Sequence, residues 1–540
     1  MRIFKSTNLS PYTVAILIVT ILGCILAVYG MRWGPWAGSD SVAYIEVGRN
    51  FASGVGLVER QASGDKVPLS LHPPLYPILL ATLSVFSSDI ILAAKIADVV
   101  LLGIFILSIG LSYHFCLNHP IYSIFVCLLF LSSPLFLLLF TGAMSEPLFF
   151  VTSVMSLLLI VIYLQTNKPM ILFISAFTAA MSLLTRYVGV AVIGAGSLGM
   201  LVFSQESFLK RGIKSVAYSA MGASPFLIWI IRLHRYGEYS GLYEFDFREL
   251  WARLSPYKME FMDILWRWMK FDLIFSGLDY DSKLNIILVL MVVIFFALII
   301  ASVKSKRVSK FNDLVRMASF QFPVFFLGFS ILFLVVTAFA FLFTTQLPEV
   351  PDERIMSPFL MSLLMGGSSL AAFLLDLYPN NRLFKFILPL FFVIFLINQI
   401  NPGLSYLYSL HENGSGYTSK EWQSSELLDR VKELPLETSI ISNEADAILL
   451  YANRPAYRIP ELMQGKRHAV FNSFGQDSED EIQSIFKTKG AALVLFNSVY
   501  WQFNAIYYHK AEERLEAFTR NLYLYSEAVD GEIYFYQFSE

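Results

Sequence analysis

The chain has few charged residues and few cysteines, and its polar C-terminal part lacks a glycine-rich phosphate loop. Charged residues make up 15% of the 540 residues and the formal net charge is -2, so nothing indicates a nucleic-acid partner. The three cysteines, Cys24, Cys116 and Cys127, form no CxxC pair. Their scarcity argues against a disulfide framework, thiol redox chemistry and a structural zinc site.

Hydrophobic residues are abundant instead. They make up 56% of the chain, and the mean hydropathy is +0.58. Apolar runs long enough to cross a hydrocarbon core of about 30 Å recur along most of the chain, more than a soluble core could bury. The sequence therefore predicts an all-α polytopic membrane protein with about eleven transmembrane helices. The predicted spans are 12–31, 89–113, 120–141, 147–164, 170–185, 187–203, 214–231, 284–303, 319–345, 355–377 and 385–402.

Basic residues are concentrated in the shortest loops between these spans. The positive-inside rule places such loops in the cytoplasm. The basic residues are Lys210, Arg211 and Lys214 in one loop, Lys304, Lys306, Arg307, Lys310 and Arg316 in a second, and Arg382 and Lys385 in a third.

The apolar segment 72–88 decides which side the later loops face, because a full crossing there would invert everything after it. Pro73, Pro74 and Pro77 break its first turn from the preceding loop. We therefore predict a re-entrant or interfacial helix. The loops 32–71, 142–146, 232–283 and 346–354 then face outward, as does the whole tail from Gly403.

The outer loop 232–283 contains Trp251, Trp266 and Trp268 interleaved with charges. This pattern predicts an interfacial amphipathic helix anchored by its aromatic residues. The alternative is a lid over an active site, and the residues do not distinguish the two.

From about residue 403 the composition becomes that of a soluble domain. Alternating patterns predict a small C-terminal extracytoplasmic α/β domain over 403–540, after a transmembrane domain over 1–402. Asn443 is expected to cap one of its helices, and Asp530-Gly531 to form a hairpin turn. The predicted helices are 421–433, 444–452, 478–488 and 511–521, and the predicted strands before the hairpin are 438–442 and 491–497.

Two carboxylates stand at the outer ends of apolar helices, where ionisable groups are costly. Asp40 lies in GSDSVAYIEVGRNFASGVG, and Glu146 lies in TGAMSEPLFF. Each could simply stabilise the first turn of a helix, with Ser145 as the cap beside Glu146. Their common membrane face predicts a second role, because paired carboxylates can act as a general base on a hydroxyl.

Cations lie near the same face. Arg186 interrupts the apolar stretch SLLTRYVGVAV, and Arg354 lies in PEVPDERIMSPFL, where a local pairing with Asp352 or Glu353 is the alternative role. Arginine binds phosphate well in a partly dry site. His72 precedes two prolines, a position in which histidine is more often structural than catalytic.

A second charged pair lies deeper in a predicted span. Lys95 and Asp98 are three residues apart on one helix, and we expect them to neutralise each other.

In order along the chain, SDSVAYIEVGRNFASGVG, HPPLYPILLA, SEPLF, LLTRYVG and ERIMSPFL resemble the GT-C superfamily of membrane glycosyltransferases over roughly residues 10–400. The nearest branch contains protein O-mannosyltransferases and the bacterial aminoarabinose transferases of lipid A. The tail segment SIISNEADAILLYANRPAYRIP resembles the extracytoplasmic domain of bacterial members.

The resemblance implies a polyprenyl-phosphate sugar as donor and inversion at the anomeric carbon. It implies Asp40 as the catalytic base, Glu146 as the second catalytic carboxylate, and His72, Arg186 and Arg354 near the donor phosphate. Many members carry Asp-Glu in the first outer loop where this chain has Asp40-Ser41. That departure puts a divalent metal in doubt, and no metal ligands are predicted.

The expected function is hexosyl or pentosyl transfer to a glycolipid, polysaccharide or protein hydroxyl on the outer face of a plasma (inner) membrane. One alternative is an O-antigen-type polymerase or ligase acting on lipid-linked oligosaccharides. The other is a flippase or transporter, for which related halves and broken midplane helices would be expected. The carboxylate just after the first span favours the transferase over the polymerase or ligase. The ionisable residues cluster at one face, and the soluble tail has no counterpart in the first half of the chain, which favours the transferase over a transporter.

Overall fold

The computed structural model describes residues 11–87, 89–117, 121–235, 250–269, 282, 285–286, 316–343, 350–378, 382–459, 462, 490–520 and 522–536. Helices dominate the part before the sheet of the tail. They are α1 Pro11–Gly30, α2 Ser39–Ala52, α3 Leu75–Ser87, α4 Ile90–Cys116, α5 Ile121–Ser132, α6 Pro134–Phe140, α7 Glu146–Thr166, α8 Pro169–Thr185, α9 Val190–Phe203, α10 Phe208–Arg235, α11 Leu250–Met269, α12 Ala318–Phe343, α13 Ser357–Leu377 and α14 Arg382–Asn413.

The apolar helices make this chain a multi-pass membrane protein. Among the described residues six helices, α1, α4, α7, α10, α12 and α13, are long and apolar enough to cross a membrane. The pair α5 and α6, bent by 74° at its break, would make a seventh. The count of about eleven stays a prediction, because α8 and α9 are shorter and the predicted span 284–303 lies almost wholly outside the described residues.

Helices α1 and α4 run antiparallel. A Cβ on Gly103 would lie 3.2 Å from Cys24 Sγ, and one on Gly110 would lie 2.5 Å from Ile16, so rising numbers in α4 meet falling numbers in α1. Helix α4 therefore begins at the end of the bundle where α1 ends, which we call the site end. Between them, α3 has 13 residues, or about 20 Å of helix, too short to cross about 30 Å of hydrocarbon. The predicted non-crossing helix at 72–88 agrees with this arrangement.

The tail contains α15 Lys420–Gln423, α16 Glu426–Glu433, α17 Ala445–Ala452, α18 Ser498–Tyr507 and α19 Ala511–Thr519 beside a five-stranded sheet. Its strands are β3 Ile440–Ser442, β4 Tyr457–Arg458, β5 Ala492–Phe496, β6 Leu522–Ala528 and β7 Gly531–Tyr536, after a small hairpin β1 Val58–Arg60 and β2 Lys66–Pro68 in the first outer loop. The sheet order is β4-β3-β5-β7-β6, with β3 parallel to β4 and β5. All of β5 is buried, because this central strand is covered on both faces.

Three details of the tail differ from the predictions. The predicted helix 421–433 is broken, because Ser425 caps a new helix, α16, by accepting a hydrogen bond from Leu428 N. The predicted Asn443 cap is wrong: its Oδ1 accepts from Phe496 N at 2.9 Å, and Glu444 is the residue before α17. Helix α18 was not predicted, and the predicted helix 478–488 lies outside the described residues.

The tail is joined to the first outer loop. Helix α14 runs without a break through Pro402 and Gly403, where the domain boundary was predicted. Beyond it, Tyr417 N donates to Ala37 O at 2.8 Å, and Arg49 NH1 donates to Leu450 O at 3.0 Å. The tail therefore rests directly on α2.

Helix α11 is the amphipathic helix expected in the loop 232–283. Trp266 and Trp268 are buried, whereas Trp251 is exposed. The Trp268 ring packs against Phe359 of α13 with their centroids 6.5 Å apart. One face of α11 therefore covers the neighbouring apolar helices, as its aromatic residues predict.

Candidate active site

Asp40 lies in the first turn of α2, at the site end of the bundle. The chain just before it pairs with the second outer loop: Trp36 N donates to Thr141 O, and Ala143 N donates to Trp36 O, both at 2.8 Å. These backbone hydrogen bonds bring the start of α2 beside the start of α7. Asp40 and Glu146, which are far apart in the sequence, therefore share one site.

Arg354 lies between the two carboxylates. Its NH1 donates to Asp40 Oδ2 at 2.8 Å, and its Nε lies 3.7 Å from Glu146 Oε1. The local pairing that the sequence suggested for Arg354 is the longest of its three ion pairs with described carboxylates, because Arg354 Nε lies 4.0 Å from Asp352 Oδ2. The other local candidate, Glu353, forms an ion pair with Arg267 of α11 at 2.6 Å instead.

Arg186 reaches Glu146 from the end of α8. Its NH1 lies 2.8 Å from Glu146 Oε1 and donates to Ser145 Oγ at 3.2 Å. The Glu146 side chain is 0% exposed. A fully buried carboxylate needs compensating charge, and Glu146 has two guanidinium groups beside it. The sequence suggested that the Ser145 side chain caps α7, but this is wrong. The Ser145 hydroxyl makes no capping hydrogen bond because it faces Arg186 instead.

His72 completes the site through Tyr44, a residue not singled out in the sequence. The Tyr44 hydroxyl lies 3.3 Å from His72 Nδ1 and 3.2 Å from Ser145 Oγ. Tyr44 follows Asp40 by one turn of α2, so both side chains lie on one face of that helix. This spacing was the available signal for Tyr44, whereas the partner of its hydroxyl depends on the tertiary structure. All five predicted site residues thus meet at the site end.

The charges of the site act on Asp40. Burial raises the pKa of the Asp40 carboxyl, but the charges of His72 and Arg354 and the hydrogen bond from Arg354 outweigh it and leave that pKa below its ordinary value. Burial lowers the pKa of His72, and Arg186 adds to this effect against the attraction of Asp40. His72 lowers the pKa of Asp40 only while it is protonated. Once His72 is neutral, Arg354 and Arg186 are the positive charges that favour the ionised form of Asp40.

Ser41 stands where many members of the superfamily have Glu. It is buried, accepts a hydrogen bond from Gly38 N at 3.1 Å and donates to Met144 Sδ at 3.1 Å. Within the described ranges, no group of three or more His, Cys, Asp or Glu residues could hold a metal ion. The doubt about a divalent metal, raised by Ser41, stays a prediction.

No protein-family model matches the chain, and no curated protein matches it. Among solved structures, ArnT from Cupriavidus metallidurans in the apo state is 14% identical at a TM-score of 0.49, over 97% of this chain and 98% of that one. The same protein bound to undecaprenyl phosphate is 13% identical at a TM-score of 0.48, and the match covers 96% of this chain and 97% of that one. An Archaeoglobus fulgidus oligosaccharyltransferase tethered with an acceptor peptide is 12% identical at a TM-score of 0.48. That match covers 96% of this chain and 74% of the oligosaccharyltransferase.

These solved structures are glycosyltransferases of the GT-C superfamily, the group that the sequence motifs resemble. At such identities and TM-scores, the likeness assigns neither a substrate nor the role of any residue.

Proposed function

We propose that this protein transfers a sugar from a polyprenyl-phosphate donor to an acceptor hydroxyl at the site end of the helix bundle. The observation that carries the proposal is the contact of Arg354 with both Asp40 and Glu146, beside Arg186 and His72. The site combines a partly exposed carboxylate, suited to deprotonating a hydroxyl, with two guanidinium groups suited to a phosphate.

Asp40 is the proposed base. Its side chain is 36% exposed, whereas that of Glu146 is fully buried, so only Asp40 is open to an acceptor. The acceptor oxygen attacks the anomeric carbon while Asp40 takes the hydroxyl proton. The bond from that carbon to the phosphate oxygen breaks, and its electron pair leaves with the polyprenyl phosphate. Attack opposite the leaving group inverts the anomeric carbon.

The cations stabilise the leaving group. Negative charge develops on the phosphate as the sugar bond breaks, and preorganised donors aimed at that charge lower the barrier. Arg354 and Arg186 supply charged N–H groups, and neutral His72 can supply one uncharged N–H group. Glu146 holds the two guanidinium groups in place through contacts of 3.7 Å and 2.8 Å.

The membrane setting suits a lipid-linked donor. Asp40 and Glu146 begin helices at one end of the apolar bundle, where the head group of a polyprenyl lipid would lie while its chain remains among hydrocarbon. We assign this end, with the tail that rests on α2, to the outer face of the plasma membrane. The tail is then placed to contact the acceptor.

Sugar transfer in proteoliposomes tests the proposal. Purified protein is supplied with radiolabelled polyprenyl-phosphate sugars, with a membrane extract as the source of acceptors. We expect transfer by the wild type and a loss of at least about a hundredfold in Asp40→Asn, the scale of general-base catalysis. Asp65→Asn is the matched control, because Asp65 lies exposed in the same outer loop and, among the described residues, its side chain accepts only from Ser63, at 2.8 Å.

Two outcomes contradict the proposal. Normal transfer by folded Asp40→Asn would remove Asp40 as the base. If wild-type protein consumes no donor in a broad panel but moves the labelled lipid between leaflets, the protein is a flippase, which needs no base.

A further inference from the structure

We propose that Tyr44 and Ser145 are positioning residues that hold His72 as the neutral tautomer with its proton on Nε2. The role that this gives His72, an N–H donor to the donor phosphate, rests on the proposed function. The tautomer itself does not, because it follows from the hydrogen bonds of the protein alone.

A chain of polar groups connects Arg186 to His72. Arg186 NH1 donates to Ser145 Oγ at 3.2 Å, Ser145 Oγ lies 3.2 Å from the Tyr44 hydroxyl, and that hydroxyl lies 3.3 Å from His72 Nδ1. These hydrogen bonds link four separate segments: the end of α8, the start of α7, the face of α2 that carries Asp40, and the loop of His72. They therefore tie the loop of His72 to the helix of the proposed base.

The donor and acceptor in each of these hydrogen bonds follow from Arg186, where the series begins. A guanidinium group only donates, so Ser145 Oγ accepts from Arg186. Ser145 is fully buried, and among the described residues its own hydroxyl proton has one acceptor in reach, the oxygen of Tyr44. The Tyr44 proton is then free to point to His72 Nδ1, which must accept it. In the reverse direction the buried Ser145 proton would have no acceptor, which is unfavourable because a buried donor left without a partner keeps its full desolvation cost.

Burial and ring packing hold the Tyr44 hydroxyl in this series of hydrogen bonds. Tyr44 is 4% exposed, and its ring packs edge-on against Tyr76, with centroids 5.2 Å apart, and obliquely against His72 at 4.8 Å. Burial, and then the charge of Asp40, raise the pKa of Tyr44 far above its ordinary value, so its proton stays on the phenol. A neutral imidazole that accepts at Nδ1 carries its proton on Nε2.

Tyr76 offers a matched control for Tyr44. Its ring is fully buried against the Tyr44 ring, but its hydroxyl has no hydrogen-bond partner among the described residues. Tyr44→Phe and Tyr76→Phe therefore remove the same atom from touching, buried rings. Only the first change breaks the chain to His72.

The test is 15N NMR of protein labelled selectively at its seven histidines, with His72→Gln used to assign the His72 signals. In the wild type we expect a pyridine-like Nδ1 and a pyrrole-like Nε2 for His72. In Tyr44→Phe the two signals should move toward each other as both tautomers become populated, and Tyr76→Phe should match the wild type. Ser145→Ala should also mix the tautomers, because it removes the hydroxyl that orients the Tyr44 hydroxyl. This second variant tests the inference if Tyr44→Phe does not fold.

A pyrrole-like Nδ1 in the wild type, or unchanged signals in folded Tyr44→Phe and Ser145→Ala, would overturn the inference. Transfer assays in the same samples separate it from the proposed function. We expect kcat to fall about tenfold in Tyr44→Phe with a smaller change in acceptor KM, the size of one lost hydrogen bond to a catalytic group. If the tautomers mix as expected but the wild type transfers no sugar, the proposed function fails and the positioning of His72 stands.

Discussion

Glu146 and Asp98 are both fully buried carboxylates in helices of one bundle, yet the charges around them differ. Glu146 at the site end has guanidinium nitrogens at 2.8 Å and 3.7 Å. The carboxylate oxygens of both residues have no hydrogen-bond partner in the described part of the chain, but Asp98, inside α4, has no ion pair with a described residue either. Buried acidic residues therefore do not all mark a site, and the convergence of cations from several segments is what distinguishes Glu146.

The expected pairing of Lys95 with Asp98 is wrong. Lys95 Nζ instead donates to Met31 O, at 2.6 Å, at the end of α1. The spacing of three residues allowed a pair on the helix surface, but the Met31 carbonyl, just after the end of α1, lies within reach of the lysine. No further turn of α1 supplies a donor to this carbonyl, and it accepts from Gly34 N at 3.3 Å and, at the shorter distance, from Lys95.

Removing Arg186 should make Glu146 resemble Asp98, and this is the largest effect we expect. Arg186→Gln leaves a fully buried carboxylate with its nearest charge partner gone, which destabilises the protein by about 3 kcal/mol. Thermal unfolding in detergent measures the change. Arg211→Gln is the control, because in the described part of the chain the Arg211 side chain donates only to backbone carbonyls, those of Glu206 and Leu201. An unfolding midpoint in Arg186→Gln equal to that of the control would show that Glu146 does not depend on Arg186.

Removing Arg354 should change how sugar transfer depends on pH, through the pKa of Asp40. Arg354 lowers the pKa of Asp40, so wild-type transfer should persist on acidification until the pH falls below the ordinary aspartate value of about 3.8. Arg354→Gln should move this acid limb to higher pH by about one unit, because a neighbouring guanidinium lowers a carboxyl pKa by about one to three units. The pH profile of kcat/KM measures it. An acid limb at the same pH in both proteins would mean that Asp40 is not the titrating base.

Neutralising Asp98 should have the smallest effect. Asp98→Asn keeps the shape of the side chain and removes no described hydrogen bond, so the free energy of unfolding should change by less than about 1 kcal/mol and transfer should be retained. Chemical unfolding and the transfer assay measure both. A loss of more than about 2 kcal/mol would reveal a partner for Asp98 and end the contrast with Glu146.

The membrane-buried part of the fold was the most predictable, because apolar runs of spanning length leave few alternatives to helices in lipid. The hairpin at Asp530-Gly531 was equally local and is present as β6 and β7. Asn443 failed as a cap because the backbone N–H of Phe496, from the neighbouring strand, competes for its side-chain oxygen. A contact across the sheet thus outweighed a local preference.

The amino-acid sequence by itself determined the apolar helices and the positions of Asp40, Glu146, Arg186, Arg354 and His72 near helix ends, since both follow from local composition and spacing. Only the tertiary structure decided the partners: Arg354 with Asp40, Arg267 with Glu353, and Tyr44 with His72 and Ser145. The sequence also offers closer partners, such as Asp352 for Arg354 and Glu260 for Arg267. The packing of α2, α7, α8 and α13 at one end of the bundle selects among them, because ion pairs and hydrogen bonds form only where the atoms come within about 4 Å.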